Sequence, residues 1–112
     1  MDFSELPEFA RELKRLQKKY RSLGEDFETL KPYLATTPEG NDSKHWNCLH
    51  RREGVAIYKV RLTCAYLRAD KMRIIYAHYG EPLRIVFIEL YYKGDKENED
   101  RDRIKQYLAG KF

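Results

Sequence analysis

Apolar residues near the start of the chain recur at steps of three and four, which is the spacing of the buried stripe of an amphipathic helix. Ser4 precedes this stripe and is predicted to be the N-cap, and Pro7 suits the first helical turn. Gly24 follows the stripe and is predicted to end the helix as its C-cap. The residues of the stripe are Phe9, Leu13, Leu16, Tyr20 and Leu23.

A second helix is predicted directly after the first. Glu25 and Asp26 place negative charge at its N-terminus, where the helix dipole favours it. Pro32 lies inside the pattern, so this helix is expected to be kinked or short. Two helices joined by a tight turn form an αα-hairpin. The apolar edge of the second helix consists of Phe27, Leu30 and Leu34.

Three later segments are rich in β-branched and aromatic residues, which predicts strands. They are residues 55–64, 72–79 and 83–92. The Gly-Glu-Pro sequence at 80–82 is short enough for a hairpin turn, whereas the link at 65–71 is longer. Residues 36–44 have turn composition, residues 50–52 are interpreted as a solvated turn, and residues 98–108 are predicted to form a charged helix.

This order of elements predicts an α+β fold in a single domain spanning residues 1–112. The N-terminal helical hairpin is expected to pack on one face of a small antiparallel β-sheet, and a C-terminal helix closes the chain. The other face of the sheet is expected to be open. Residues 1–5 are compatible with a short first strand or with a disordered start.

Side chains alternate across a strand, so a strand can have one apolar face and one charged face. In residues 55–64 the even-numbered positions are predicted to face the core, and Lys59 and Arg61 lie together on the opposite face. If Arg73 in the next strand faces the same way, three cations converge on one surface. In the third strand, strict alternation places Glu89 on the same side as Ile85, Phe87, Tyr91 and Lys93.

Cations that share a sheet face repel each other, so a fold tolerates them best where an anion is meant to bind. A phosphodiester backbone is such an anion, and nearby tyrosines can stack on bases. A solvated face, on which long cationic side chains cover apolar surface, explains the same pattern equally well. Periodicity leaves both interpretations open.

Composition and the N-terminal sequence argue against a membrane-spanning or secreted protein. The formal net charge of +4 is mild, no apolar run approaches the ~20 residues needed to cross a bilayer, and the N-terminus lacks the order of a signal peptide. We therefore predict a cytoplasmic protein with no membrane partner.

Cys48 and Cys64 are then expected to be thiols. His45, Cys48 and His50 do not have the spacing of a zinc finger, so no metal and no cofactor is predicted.

Two strand motifs carry a resemblance to a known family. Residues 58–62 are Tyr-Lys-Val-Arg-Leu, residues 73–76 are Arg-Ile-Ile-Tyr, and residues 87–96 end in a basic exit. With the helical hairpin before them, these motifs resemble the RelE-type toxins of the RelE/ParE superfamily over nearly the whole chain. The resemblance implies a toxin of a type II toxin-antitoxin system, inhibited by a cognate antitoxin protein.

The same resemblance implies a ribosome-dependent endoribonuclease, an mRNA interferase that cuts mRNA in the ribosomal A site next to rRNA. The ribose 2′-OH would attack the adjacent phosphate and give a 2′,3′-cyclic phosphate. Lys59 matches the proposed general base, and the neighbouring cations would disfavour its charged form. Arg61 matches the adjacent cation and Arg73 the arginine that stabilises the phosphorane.

The remaining site residues follow from the resemblance near the end of the chain. Lys93, together with Lys96, falls near the last cationic position of the family. Tyr91 or Tyr92 is a candidate for stacking on a base, and Tyr107 on the terminal helix is a further candidate or a core residue.

Two other functions stay open at this point. A ParE-like toxin would share the fold and inhibit DNA gyrase by binding, without cutting RNA. Because such toxins commonly lack the cations found at 59, 61 and 73, those residues favour the nuclease. A non-catalytic RNA-binding protein is the third interpretation. Glu89, on the predicted cationic side, is expected to form a structural ion pair with Arg73 or Arg61 rather than to be the acid-base group.

Overall fold

The fold was described from a computed structural model, which defines residues 2–40, 45–80 and 83–110. A short first strand is followed by two helices, four consecutive strands and a terminal helix, and this order confirms the predicted α+β class. The turn predicted at 80–82 and part of the loop predicted at 36–44 lie outside the described residues. The helices are α1 (Pro7–Lys19), α2 (Leu23–Thr36) and α3 (Arg101–Leu108), and the strands are β1 (Asp2–Glu5), β2 (Trp46–Arg52), β3 (Val55–Cys64), β4 (Ala69–Gly80) and β5 (Leu83–Tyr92).

Beyond the three predicted strands, the sheet contains β1, which is one of the two alternatives left open for residues 1–5, and β2, which was not predicted. Its order is β1-β5-β4-β3-β2, with β1 parallel to β5 and each of the other neighbours antiparallel. The interpretation of residues 50–52 as a turn is wrong, because they belong to β2. In this edge strand Trp46 and Leu49 are half-buried and the other side chains are exposed, so the sequence shows no strand-like alternation of apolar residues.

The helical hairpin packs on one sheet face, as predicted. Two of its predicted caps are wrong: Ser4 lies in β1 and Leu6 is the N-cap of α1, while Gly24 lies inside α2 and Tyr20 is the C-cap of α1. Tyr20 has the non-helical dihedral angles φ -115 and ψ 88, so the chain already leaves the helix there. Pro7 does occupy the first turn of α1.

The opposite face of the sheet is covered by α3, so the expectation of an open face is wrong. Ile57, Ile75 and Ile88 are fully buried on this face and pack with Ile104 of α3 in a second apolar cluster. Arg103 of α3 donates to both carboxylate oxygens of Glu12 in α1, each at 2.9 Å, which ties the terminal helix to the hairpin. No helix of the described residues is long and apolar enough to span a membrane.

Candidate functional site

Lys59, Arg61 and Arg73 lie on one face of the sheet, beside the part that α3 covers. Arg61 is the direct cross-strand partner of Arg73, and Lys59 is the partner of Ile75, which packs in the apolar cluster with α3. Directly opposed side chains in an antiparallel pair are about 5 Å apart at Cβ. The structure therefore brings together the three cations, which we call the cationic row.

A β-bulge in β5 determines which of its residues face the cationic row. Ile75 pairs with Glu89 but the next residue, Tyr76, pairs with Phe87, so Ile88 is an extra residue in β5. Phe87 consequently packs under the helical hairpin, while Glu89 and Tyr91 lie on the face of the cationic row. The prediction that Phe87 shares a side with Glu89 is wrong for this reason.

Lys59 forms an ion pair with a residue that precedes α3. Its Nζ donates to Glu99 Oε1 at 2.8 Å, and the Glu99 side chain is only 6% exposed. Burial opposes the charged form of this carboxylate, but hydrogen bonds from Lys59 and the backbone outweigh burial, so the pKa of Glu99 lies below its ordinary value. Glu99 is therefore an anion at neutral pH and holds the Lys59 ammonium in an ion pair.

The two arginines of the cationic row have little compensating negative charge. Arg61 Nη1 lies 3.8 Å from Asp70 Oδ2, and among the described residues no carboxylate forms an ion pair with Arg73. Arg73 Nη1 instead donates to the backbone oxygens of Asp70, at 2.6 Å, and Met72, at 3.0 Å. Burial, and then repulsion from Arg61, lowers the pKa of Arg73. Both guanidinium groups thus lie near a single carboxylate, that of Asp70, whose charge opposes the lowering of the Arg73 pKa without reversing it.

Glu89 forms contacts that stabilise the fold. It is fully buried, accepts a hydrogen bond from the backbone N–H of Asp100 at 2.8 Å, and is ion-paired with Lys96. Its partners are thus Lys96 and the start of α3, whereas the sequence favoured an arginine partner. Together the Glu89 and Glu99 contacts hold the segment before α3 over the cationic row.

The other predicted site residues are spread over the molecule. Tyr91 faces the cationic row but is 3% exposed, and burial followed by the charges of Glu99 and Glu89 raises its pKa to about 12. Lys96 Nζ lies 5.2 Å from the centroid of the Tyr91 ring. Lys93 is exposed in the turn after β5 and lines a cavity of about 460 Å³ with Lys71 and Lys96.

Two predicted stacking tyrosines are not brought to the cationic row. Tyr92 lies on the hairpin side of the sheet, with its ring centroid 5.2 Å from that of Tyr20. The Tyr107 hydroxyl lies 2.5 Å from that of Tyr79. Tyr79 is six residues beyond Arg73 in β4, or about 20 Å along the strand. Neither ring is placed to stack on a base bound at the cationic row.

The fold of this chain is similar to that of a known protein structure, although its sequence gives no match. No protein-family model and no curated protein sequence matches the chain. Among solved structures, it is similar to a chain of the archaeal RelE–RelB complex from Pyrococcus horikoshii OT3. The TM-score is 0.62, the match covers 83% of this chain and 94% of that chain, and the sequence identity is 16%.

The chain has a RelE-like fold. This confirms the fold that the strand motifs at 58–62 and 73–76 predicted. At 16% identity the likeness concerns the fold and leaves the chemistry to the side chains of this chain.

Within this RelE-like fold, the residues that the sequence analysis missed are the acidic partners of the cationic row. Glu99 pairs with a lysine 40 positions earlier, and Asp70 lies in the link predicted between two strands. Neither residue belongs to a periodic pattern, so the alternation that located the cations gave no signal for their partners. Within the described residues, no group of three or more His, Cys, Asp and Glu side chains is placed to hold a metal.

The Lys59–Glu99 pair predicts a pH-dependent contribution to stability. Because the pKa of Glu99 is lowered by folding, its stabilising effect is complete above the ordinary glutamate value and is lost as the pH falls through the lowered value. Glu99→Gln is therefore expected to reduce the free energy of unfolding by about 1–2 kcal/mol at pH 7 and by almost nothing at a pH where Glu99 is protonated. Urea titrations of both proteins across this pH range measure the difference.

The neighbouring exposed residue Glu97 provides the matched control. Glu97→Gln removes the same charge without removing the contact to Lys59, so its stability is expected to follow that of the wild type at each pH. A Glu99→Gln deficit that does not change with pH would contradict the ion pair.

Proposed function

We propose that this chain is the toxin of a type II toxin-antitoxin system and that it cleaves mRNA at the cationic row. The observation that carries the proposal is the paired guanidinium groups of Arg61 and Arg73. They lie on directly opposed residues, and burial and mutual repulsion lower the pKa of Arg73. Such an arrangement is costly in the free protein and is relieved when an anion binds between the two groups.

The chemistry that fits this arrangement is transfer of a phosphodiester within the RNA. The ribose 2′ hydroxyl loses its proton to water as its oxygen attacks the adjacent phosphorus. The bond from phosphorus to the 5′ oxygen of the next nucleotide breaks and that oxygen takes up a proton, so the products are a 2′,3′-cyclic phosphate and a 5′-hydroxyl end. Negative charge grows on the non-bridging oxygens during this step. Arg61 and Arg73 would each donate hydrogen bonds to these oxygens and stabilise that charge.

The role of Lys59 depends on its partner. As the cation of an ion pair with Glu99, Lys59 offers hydrogen-bond donors to a phosphate and no lone pair to a ribose hydroxyl. We therefore propose that Lys59 binds phosphate or donates the proton that the leaving 5′ oxygen takes up. Lys59 would serve as the general base only after Glu99 has moved away from it.

Partners follow from the same proposal. The solved structure of similar fold is a RelE–RelB complex, which supports a cognate antitoxin protein as the partner of this chain. We propose that the toxin acts in the cytoplasm on mRNA in the ribosomal A site. In support of a ribosome-bound substrate, Lys59 and Arg73 are mostly buried, so the RNA must be presented to them in a fixed conformation.

Induction of the chain in a bacterial host is expected to stop growth and to produce new RNA ends. Because the substrate is mRNA on the ribosome, the cuts are expected at codon positions within translated regions and not in untranslated regions of the same transcripts. Primer extension and selective ligation of 5′-hydroxyl ends map the cuts. Purified chain should cut a programmed mRNA far faster with ribosomes than without them.

Three outcomes would contradict the proposal. Growth arrest with intact transcripts, together with inhibition of purified gyrase in a supercoiling assay, would make the chain a gyrase-binding toxin. If folded protein is present in the cells but growth is normal and transcripts are intact, the chain is not a toxin. An RNA that binds without being cut would leave a non-catalytic RNA-binding protein.

A further inference from the structure

Tyr91 continues the line of opposed residues in the cationic row by one strand. Arg61 in β3 pairs with Arg73 in β4, and Arg73 pairs with Tyr91 in β5. Directly opposed residues project to the same face of a sheet, and neighbouring strands lie about 5 Å apart. The three side chains therefore start from one line across the sheet, and the Tyr91 side chain begins directly beside that of Arg73.

The ring of Tyr91 is held by packing. Tyr91 is 3% exposed and belongs to the second apolar cluster, together with Ile75, Ile88 and Ile104. Lys96 lies against the ring, with its Nζ 5.2 Å from the ring centroid. A ring with so little exposed surface contributes to the fold, and the hydroxyl is the part of Tyr91 that is left to act on a ligand.

The Tyr91 hydroxyl has no hydrogen-bond partner among the described residues, although its oxygen keeps some contact with solvent. Buried tyrosine hydroxyls usually find a partner. Tyr76, on the hairpin face, follows this rule, because its hydroxyl accepts from Trp46 Nε1 at 3.1 Å and donates to the Pro38 backbone oxygen at 2.7 Å. The Tyr91 hydroxyl is thus not used to hold the fold, and an external acceptor would complete its hydrogen bonding.

The Tyr91 phenol keeps its proton at neutral pH. Burial, and then the charges of Glu99 and Glu89, raise the pKa of Tyr91 to about 12, while the charge of Arg73 acts in the opposite direction. Each of the two carboxylates is already ion-paired with a lysine. The protonated hydroxyl can therefore donate a hydrogen bond to an anion that enters the cationic row.

Arg73 also keeps donors for a ligand. In the folded chain its Nη1 donates to the backbone oxygens of Asp70 and Met72, whereas its Nε and Nη2 form no hydrogen bond with a described residue. Two directly opposed side chains, Arg73 and Tyr91, thus hold hydrogen-bond donors that lack acceptors. Several donors on neighbouring strands suit an anion with several oxygens, as a phosphodiester is.

We propose that the Tyr91 hydroxyl donates a hydrogen bond to a non-bridging oxygen of the RNA phosphate held by Arg61 and Arg73, and so acts as a catalytic residue. This inference rests on the proposed function, since it takes the ligand of the cationic row to be the phosphate that is cut. Negative charge on the non-bridging oxygen grows in the transition state, so the hydrogen bond is stronger there than in the bound substrate. The proton stays on the Tyr91 oxygen throughout, and the leaving 5′ oxygen takes its proton from another donor.

Tyr91→Phe removes the hydroxyl and keeps the ring. It is expected to lower the single-turnover rate of mRNA cleavage on programmed ribosomes by about 10- to 100-fold, less than the loss of a charged donor. Its urea midpoint is expected to equal that of the wild type, because the hydroxyl forms no hydrogen bond with a described residue. Tyr76→Phe is the matched control with the opposite pattern: it loses two hydrogen bonds on the other face of the sheet, so its urea midpoint is expected to fall while cutting stays normal.

A second measurement does not depend on cutting. A short 2′-O-methyl oligoribonucleotide presents the same phosphates but cannot be cut, because the attacking hydroxyl is blocked. Fluorescence anisotropy of the labelled oligonucleotide measures its binding to the protein. Tyr91→Phe is expected to weaken binding by about 2- to 10-fold, the contribution of one hydrogen bond, and Tyr76→Phe to leave it unchanged.

The outcomes separate this inference from the proposed function. If Arg73→Ala abolishes cutting while Tyr91→Phe cuts and binds like the wild type, the inference is overturned and the nuclease stands. If the wild type cuts no mRNA but Tyr91→Phe still weakens oligonucleotide binding, the nuclease is removed and the contact between the hydroxyl and a phosphate is supported.

Two further results would overturn the inference by giving the hydroxyl another role. A fall in cutting by Tyr91→Phe that is accompanied by a lower urea midpoint, as in Tyr76→Phe, would make the hydroxyl structural. RNA with sulfur in place of the leaving 5′ oxygen needs no proton on its leaving group. If Tyr91→Phe cuts this RNA at the wild-type rate, the hydroxyl supplies a proton to the leaving group and does not stabilise the phosphate oxygens.

Discussion

Replacing Arg73 with alanine is expected to reduce mRNA cleavage by about 100- to 1,000-fold, the usual cost of losing one donor aimed at transition-state charge. Arg73 is the member of the cationic row that has no carboxylate partner among the described residues. Its guanidinium is buried next to that of Arg61, where water screens its charge least. Single-turnover cleavage of mRNA on programmed ribosomes measures the change, and growth arrest on induction should disappear with it.

Stability has to be measured beside activity, because Arg73 also donates hydrogen bonds to two backbone oxygens. Arg73→Lys keeps the charge and loses the planar fork, so it is expected to retain more activity than the alanine variant. Arg15→Ala makes the same change of charge at an exposed position of α1 and is expected to cut normally. If folded Arg73→Ala protein cuts at the wild-type rate, the cationic row is not the catalytic site.

The cationic row was predictable from the sequence because β3 and β4 have chemically different faces at this point. Val60 and Leu62 alternate with Lys59 and Arg61, so the pleat alone assigns the cations to one side. Pairing of two adjacent antiparallel strands then brings Arg73 opposite Arg61. Local periodicity is enough to place Lys59 and Arg61 on one face, whereas the position of Arg73 opposite Arg61 depends on a strand register that the longer link at 65–71 left open.

For β5, the side of the sheet to which each side chain points was not predictable in the same way. Residues 85–88 are all apolar and all buried, so no polar residue marks which of them face each side. The bulge at Ile88 shifts the alternation by one residue, and it has no glycine or other local signal. Glu89 and Tyr91 reach the cationic row because of this shift, while Phe87 is directed to the core.

The cover over the cationic row depends on contacts between distant parts of the chain. Ile104 gave the terminal helix an apolar side, but the sequence did not indicate which surface that side would bury. Ile57 and Ile75 are a further apolar area that needs cover, and α3 supplies it. Glu99 reaches Lys59 because the helix is docked there, so the ion pair is a consequence of tertiary packing and has no counterpart in a local pattern.

Replacing Phe87 with alanine is expected to lower the free energy of unfolding by about 3–5 kcal/mol. The ring is 1% exposed and lies at the centre of a group of aromatic rings from four other elements. Its centroid is 4.7 Å from that of Phe27 in α2 and 5.4 Å from that of Phe9 in α1. Removing it leaves a cavity between the helical hairpin and the sheet, where neither layer can close without losing its own contacts.

A domain of this size has a total stability of about 5–15 kcal/mol, so the loss at Phe87 is a large share of it. Urea unfolding followed by circular dichroism measures the change. Leu83→Ala in the same strand is the matched control, because Leu83 is 57% exposed and the change is expected to stay within about 0.5 kcal/mol. Similar losses in the two variants would mean that β5 does not present Phe87 to the hairpin. The bulge at Ile88 would then be misplaced, and with it the position of Glu89 and Tyr91 beside the cationic row.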